Sequence, residues 1–222
     1  GCMVQSNSIG SAFKTAFGAS PVVVGVVIAA VAFFIFVGGI SRIASVTEKI
    51  VPIMACLYII GCVVVLAINH SAILEAFRLI FVSAFAPQSV AGGIAGVTVQ
   101  KAMRFGVARG LFSNEAGMGS TPHAHAVAKV NHPHEQGVVA MVGVFIDTFI
   151  ILTLTALVVI SSGQWNSGLT SIDLAQSAFN AALGSFGNIF VAVCLLFFAF
   201  STIVGWYYFG ETNVKALFGT KL

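Results

Sequence analysis

Polar side chains are scarce in this chain, and those able to do chemistry fall in a few places. The densest stretch is 106–120, where Arg109, Ser113, Asn114, Glu115 and Ser120 stand among Gly106, Gly110, Gly117 and Gly119. Ser201 and Thr202 form an adjacent hydroxyl pair inside an apolar run, and Asp147 is a lone carboxylate next to Thr148. Each glycine lowers helix stability by about 1 kcal/mol relative to alanine. A stretch this rich in glycine and polar groups predicts helix on both sides and unwound backbone at 112–117. Unwound backbone leaves N–H and C=O groups free, and the start of a helix carries partial positive charge. The N–H groups around Ala116 to Gly119 therefore suit a carboxylate. The carbonyls ending the first half-helix suit a cation or an ammonium group. Hydroxyl oxygens such as those of Ser201 and Thr202 are hard ligands for a hard cation. Each feature also has a structural reading. The glycines can simply let helices pack closely, and Ser or Thr hydroxyls can bond back to their own helix.

Arg109, Glu115 and Asp147 are ionisable groups in apolar surroundings, where charges are costly and usually paired or functional. They form a candidate ion pair or gate, with Arg109 and Glu115 placed to neutralise each other across the break. Asp147 reads either as part of a second cation site or proton path, or as a hydrogen-bond partner for Thr148 and neighbouring helices. Lys101 and Arg104 lie further along the same helix, either in a wet vestibule or reaching to the interface. His123, His125, His132 and His134 offer an alternative: a membrane-embedded metal-binding protein or metalloenzyme. On a helix His123 and His125 diverge by about 200°, and no cysteine or carboxylate set completes a ligand spacing. No nucleophile–base arrangement is visible, so no covalent chemistry is implied.

The elements that position these groups are membrane helices. Of the 222 residues, 58% are hydrophobic and only 8% charged, against roughly 25% charged in soluble domains. The mean hydropathy is +1.02. The net charge of +3 is too small to imply nucleic acid. Cys2, Cys56, Cys62 and Cys194 show no CxxC spacing and read as small core residues. The pattern predicts spans at 21–40, 51–69, 97–129 (broken near 112–117), 138–160 and 188–209, in one transmembrane domain. A polar connector is expected at 41–49, a Gly-rich one at 88–96 and a loop at 131–136. Two short amphipathic helices, near 70–87 and 163–184, are too polar to span. Arg42, Lys49, Lys129, Lys215 and Lys221 on one side against Arg78 on the other place the first set in the cytoplasm, with Lys14 outside as a minor exception. No signal peptide is visible, and both ends look cut, as in a fragment of a longer chain. An interrupted helix at bilayer depth is how secondary transporters build substrate and ion sites near the midplane.

Gly110-Leu-Phe-Ser-Asn-Glu-Ala-Gly-Met-Gly-Ser120, followed by Ala124-His125-Ala126, resembles the signature of the sodium:alanine (alanine or glycine:cation) symporter family. So do Met3-Val-Gln-Ser-Asn-Ser8, Gly38-Gly39-Ile40 with Arg42-Ile43-Ala44 and Val46-Thr47-Glu48, Gly143-Val-Phe-Ile-Asp-Thr148, and Phe198-Ala-Phe-Ser-Thr202 with Gly205-Trp206. The resemblance covers essentially the whole chain. It implies an all-α integral membrane protein, part of a LeuT-type bundle of two inverted five-helix repeats with a discontinuous helix. The chain would run from late in the third helix to the end of the eighth, leaving the first helix to the missing remainder of its own chain.

The resemblance implies sodium-coupled symport of a small neutral amino acid, alanine or glycine, without an organic cofactor. The setting would be the lipid bilayer of the plasma membrane, the inner membrane of a bacterium or archaeon, in multi-pass form. The break would line the substrate pocket, with Phe112 and Asn114 as main contacts and Ser113 and Gly117 as further ones. Ser201 and Thr202, with the Phe198 carbonyl, would bind sodium. Trp206, one turn beyond Thr202, would wall the pocket or else anchor at the interface with Tyr207 and Tyr208. Gln5 would reach the pocket from the third helix. Alanine and glycine, the two optical isomers, and sodium against proton remain open at this point.

Overall fold

The computed structural model describes residues 2–85 and 95–219, without the side chains of 84–85 and 95–102. Most of the connection expected at 88–96, the side chain of Lys101, and Lys221 lie outside the described residues. All regular structure among the described residues is helical. Three helices are long and apolar enough to cross a membrane: Gly39–Ile68, Pro133–Ser161 and Ser185–Phe218. A fourth apolar helix, Pro21–Phe36, is shorter. The chain divides into two compact units, Gly1–His70 with Val158–Leu222, and Ser71–Leu157.

The first unit contains α1 (Cys2–Phe17), α2 (Pro21–Phe36), α3 (Gly39–Ile68), α9 (Ser171–Leu183) and α10 (Ser185–Phe218). Pro21 opens α2, where its missing N–H is not needed. Ile28, Ala32 and Ile35 form one stripe of α2 by helical spacing. They pack with Ile9 of α1, Ile43 of α3, and Ala199, Phe200 and Val204 of α10. The other faces of α2 are exposed and apolar, Phe33 and Phe34 among them. In a bilayer such stripes associate through van der Waals packing, because lipid tails are as apolar as leucine.

The connector expected at 41–49 is helical instead. It forms the first turns of α3, which begins only three residues after α2 ends. The reason is visible in Arg42. Its guanidinium donates to Phe34 O (2.9 Å), one of the last carbonyls of α2, and lies over the Phe34 ring, 5.1 Å from its centre. A polar residue that reads as loop therefore caps the preceding helix.

At 34 residues, α10 is about 51 Å long, well beyond a hydrocarbon core of about 30 Å. Its last turns carry the Lys215–Glu211 pair (2.5 Å), so the polar stretch after 209 continues the helix. Gly187 lets α10 approach α9. A Cβ there would lie 2.5 Å from the Phe179 carbonyl carbon and oxygen. The short helix α9 buries Ala178, Phe179 and the polar Gln176, and leaves Ala181 exposed. The Gln176 amide donates to Ala12 O (3.2 Å) and Asn188 O (3.3 Å), tying α9 to α1 and α10. Cys62 and Cys194 are buried as expected of core residues, whereas Cys2 and Cys56 are exposed; all four are free.

The second unit holds α4 (His70–Phe85), from Ser71 on, then α5 (Ala95–Ser113), α6 (Ser120–His125) and α7 (Pro133–Phe145). A π-helical stretch, Ile146–Leu152, follows α7 and passes into α8 (Thr153–Ser161). The amphipathic α4 buries Ala76 and half-buries Ile73 and Ile80, while Glu75 and Arg78 pair at 3.5 Å in solvent.

Candidate functional site

The glycine-rich stretch interrupts its helix from 114 to 119. Two backbone bonds show how. The Ala116 N–H donates to Leu111 O (2.9 Å) and the Glu115 N–H to Phe112 O (3.1 Å). This crossed pair is the Schellman arrangement, which places Glu115 at the left-handed position normally taken by glycine. Glu115 indeed has φ 51°, and Gly117 and Gly119 follow at 75° and 80°. Left-handed backbone costs an ordinary residue about 1–2 kcal/mol. The two glycines adopt it freely; Glu115 is held there.

What holds it is Ser120, buried at the start of α6, whose hydroxyl donates to Glu115 Oε2 at 2.6 Å. The opening of the second half-helix thus already faces a carboxylate from the chain itself. The expected Arg109–Glu115 pair is not formed: Arg109 is exposed, and Glu115 is engaged by Ser120.

Two further bonds tie the end of α5 to the π-helical stretch. Ser113 Oγ donates to Asp147 Oδ2 (2.7 Å), and Thr148 Oγ1 donates to Asn114 Oδ1 (3.1 Å). Asn114 Nδ2 donates to Gly110 O (3.1 Å). Single turns of π-helix often mark functional positions in membrane and soluble helices alike. Beside these bonds lies a cavity of about 410 Å3, within the roughly 300–1,000 Å3 of small-molecule pockets. Ser113, Asn114 and Glu115 line it from the break, Ala140, Gly143 and Asp147 from α7 and the π-helical stretch, and His125 from α6. Its two carboxylates favour a cationic group over a second anion. Phe112 and Gly117 are exposed and are not among the lining residues.

The first unit carries the other expected group. Ser201 Oγ and Thr202 Oγ1 both donate to Phe198 O, at 2.9 and 3.0 Å. Three oxygens therefore gather at one point of α10, and each hydroxyl, having spent its proton, keeps its lone pairs. The Met54 sulfur of α3 lies 3.8 Å from Ser201 Oγ. Trp206 and Gln5 are half-buried, and Trp206 packs edge-on against Phe209, 5.8 Å between centres.

The histidines are used locally. His123 donates through Nδ1 to Gly119 O (2.7 Å), Gln136 donates to His125 Nδ1 (2.5 Å), and His132 Nδ1 accepts from the His134 N–H (3.2 Å). Among the described residues, no group of three or more His, Cys, Asp or Glu is placed to hold a metal. Sequence reasoning placed Ser120 in the polar stretch but gave it no partner. A hydroxyl at the first position of a helix, five residues after a carboxylate, was the available signal.

A model of the sodium:alanine symporter family matches residues 1–222. The chain belongs to that family. It is 41% identical to the "Sodium/alanine symporter AgcS" of Methanococcus maripaludis, over 100% of this chain and 49% of the relative. It is 38% identical to the "Sodium/proton-dependent alanine carrier protein" of Bacillus sp., over 96% of this chain and 51% of the relative. The "Probable sodium/glutamine symporter GlnT" of Bacillus subtilis is 39% identical over 98% of this chain and 45% of its own length. The chain spans about half the length of the curated relatives it matches. The sodium:alanine symporter family is one of transporters and carriers, not of enzymes, and the metalloenzyme alternative falls with that.

Proposed function

We propose that this protein serves sodium-coupled symport of a small neutral amino acid, alanine or glycine, across the plasma membrane, within a LeuT-type inverted-repeat bundle. The observation that carries the reading is Asn114. It sits at the end of an interrupted helix, beside a cavity, with one N–H and one lone pair used. An amide has two of each, so one donor and one acceptor remain, matching a carboxylate and an ammonium. The carboxylates of Glu115 and Asp147 on the same cavity favour the ammonium end. In this reading Phe112, Ser113 and Gly117 complete the break. Sodium binds at Ser201, Thr202 and the Phe198 carbonyl. No organic cofactor is required.

Binding to the intact transporter tests the reading. Asn114→Ala abolishes alanine binding by calorimetry while the variant still folds. Equal alanine affinity in wild type and variant removes Asn114 from the site. Because one relative bears glutamine in its name, sodium-driven uptake of labelled alanine, glycine and glutamine is compared in vesicles. Uptake of glutamine alone overturns the choice of substrate.

A further inference from the structure

We propose that Thr148 is a positioning residue for Asn114: it holds the oxygen end of the Asn114 amide, keeps its free N–H and lone pair in one orientation, and so sets affinity for the substrate. The inference rests on the reading of Asn114 given above.

A backbone carbonyl only accepts, so the group of Asn114 placed 3.1 Å from Gly110 O is its nitrogen. The amide oxygen then points to Thr148, whose hydroxyl must donate across 3.1 Å. Gly110 O selects the nitrogen for its own side, but with that bond alone the oxygen end still swings about the last side-chain torsion, which is broad for Asn. With both, one N–H and one lone pair are left in a single orientation.

Thr148 is itself well placed to act as a fixed point. It belongs to the π-helical stretch Ile146–Leu152. The adjacent Asp147 accepts from Ser113 at 2.7 Å, so two consecutive residues of the break are bonded to two consecutive residues of this stretch. The donors alternate: Ser113 gives to Asp147, and Thr148 gives to Asn114. Asp147 holds the end of α5 in place, and Thr148 orients the amide that follows. Each carries out one part of the positioning, and of the two Thr148 is the one bonded to the Asn114 amide.

The test uses the intact transporter reconstituted in vesicles, with alanine uptake measured against alanine concentration at saturating sodium. Thr148→Val removes the hydroxyl at nearly constant shape. A neutral hydrogen bond is worth about 0.5–1.5 kcal/mol net, and 1.4 kcal/mol is tenfold in affinity. The expected result is a rise in the half-saturating alanine concentration of about threefold to tenfold, with a maximal rate per folded molecule changed less. Thr148→Ser keeps the hydroxyl and restores the wild-type value. Thr148→Ala replaces the valine variant if that one does not fold. An unchanged half-saturating concentration in the valine or alanine variant overturns the inference. So does a loss that serine fails to rescue, since that is a packing effect. Wild-type protein that takes up no alanine, or an Asn114→Ala variant with wild-type affinity, instead defeats the reading of Asn114 on which the inference stands.

Discussion

Removing one hydroxyl from the Ser201–Thr202 pair separates a cation ligand from a hydroxyl that only satisfies its own helix. Both side chains donate to Phe198 O, at 2.9 and 3.0 Å. Thr202→Ala therefore leaves that carbonyl with Ser201, and Ser201→Ala leaves it with Thr202. Each single change deletes one back-bond worth about 0.5–1.5 kcal/mol. Alanine recovers part of this through a helix propensity better by up to about 0.7 kcal/mol. The net stability change is thus within about 1 kcal/mol, and thermal unfolding in detergent should scarcely move. The effect on sodium is larger if these oxygens are ligands. Interactions with a charged group are worth about 1.5–3 kcal/mol each, which is roughly tenfold to more than a hundredfold. At mid-span no bulk water replaces the lost oxygen. Uptake measured against sodium concentration in reconstituted vesicles should show the half-saturating value rising at least tenfold in Thr202→Ala and in Ser201→Ala. Because the two bindings are linked, alanine affinity at limiting sodium should fall, and high sodium should restore part of it. An unchanged half-saturating sodium concentration in both variants refutes the assignment and leaves the pair as helix-internal hydroxyls.

Glu115 and Gly187 give two further tests. Glu115→Gly removes the left-handed strain of about 1–2 kcal/mol together with the Ser120 bond, whereas Glu115→Gln keeps the strain and loses the charge. The glycine variant should be at least as stable to heat as the glutamine one; a glycine variant less stable by more than about 1 kcal/mol contradicts the strained position. Gly187→Ala forces a methyl against the Phe179 backbone and should cost about 1–3 kcal/mol, and an unaltered unfolding temperature would show that α9 and α10 do not meet so closely.

Much of this architecture is legible where a local rule governs it. Gly117 and Gly119 mark positive φ because only glycine adopts it without cost, and the interruption from 114 to 119 lies within two residues of the stretch the composition indicates. The amphipathic spacing of α4 is read directly from its sequence. The turn of Arg42 is not legible, because its partner is a carbonyl freed by the end of another helix. Gln176 is a polar residue inside an otherwise apolar face, and its burial depends on carbonyls of α1 and α10 that lie outside its own helix.

The break itself shows the same division at closer range. Composition locates it but assigns the wrong partner to Glu115. An ion pair with Arg109 satisfies both charges on paper, six residues apart. The Schellman turn decides otherwise, since it reverses the backbone at Glu115 and brings its carboxylate back onto Ser120. That outcome also changes the chemistry expected there. The N–H groups that open α6 were a natural receptor for a substrate carboxylate, but a carboxylate of the chain already stands beside them. The cavity next to it is lined by two acidic side chains and by an amide with one donor and one acceptor to spare. A group carrying positive charge is therefore the better fit there than a second anion.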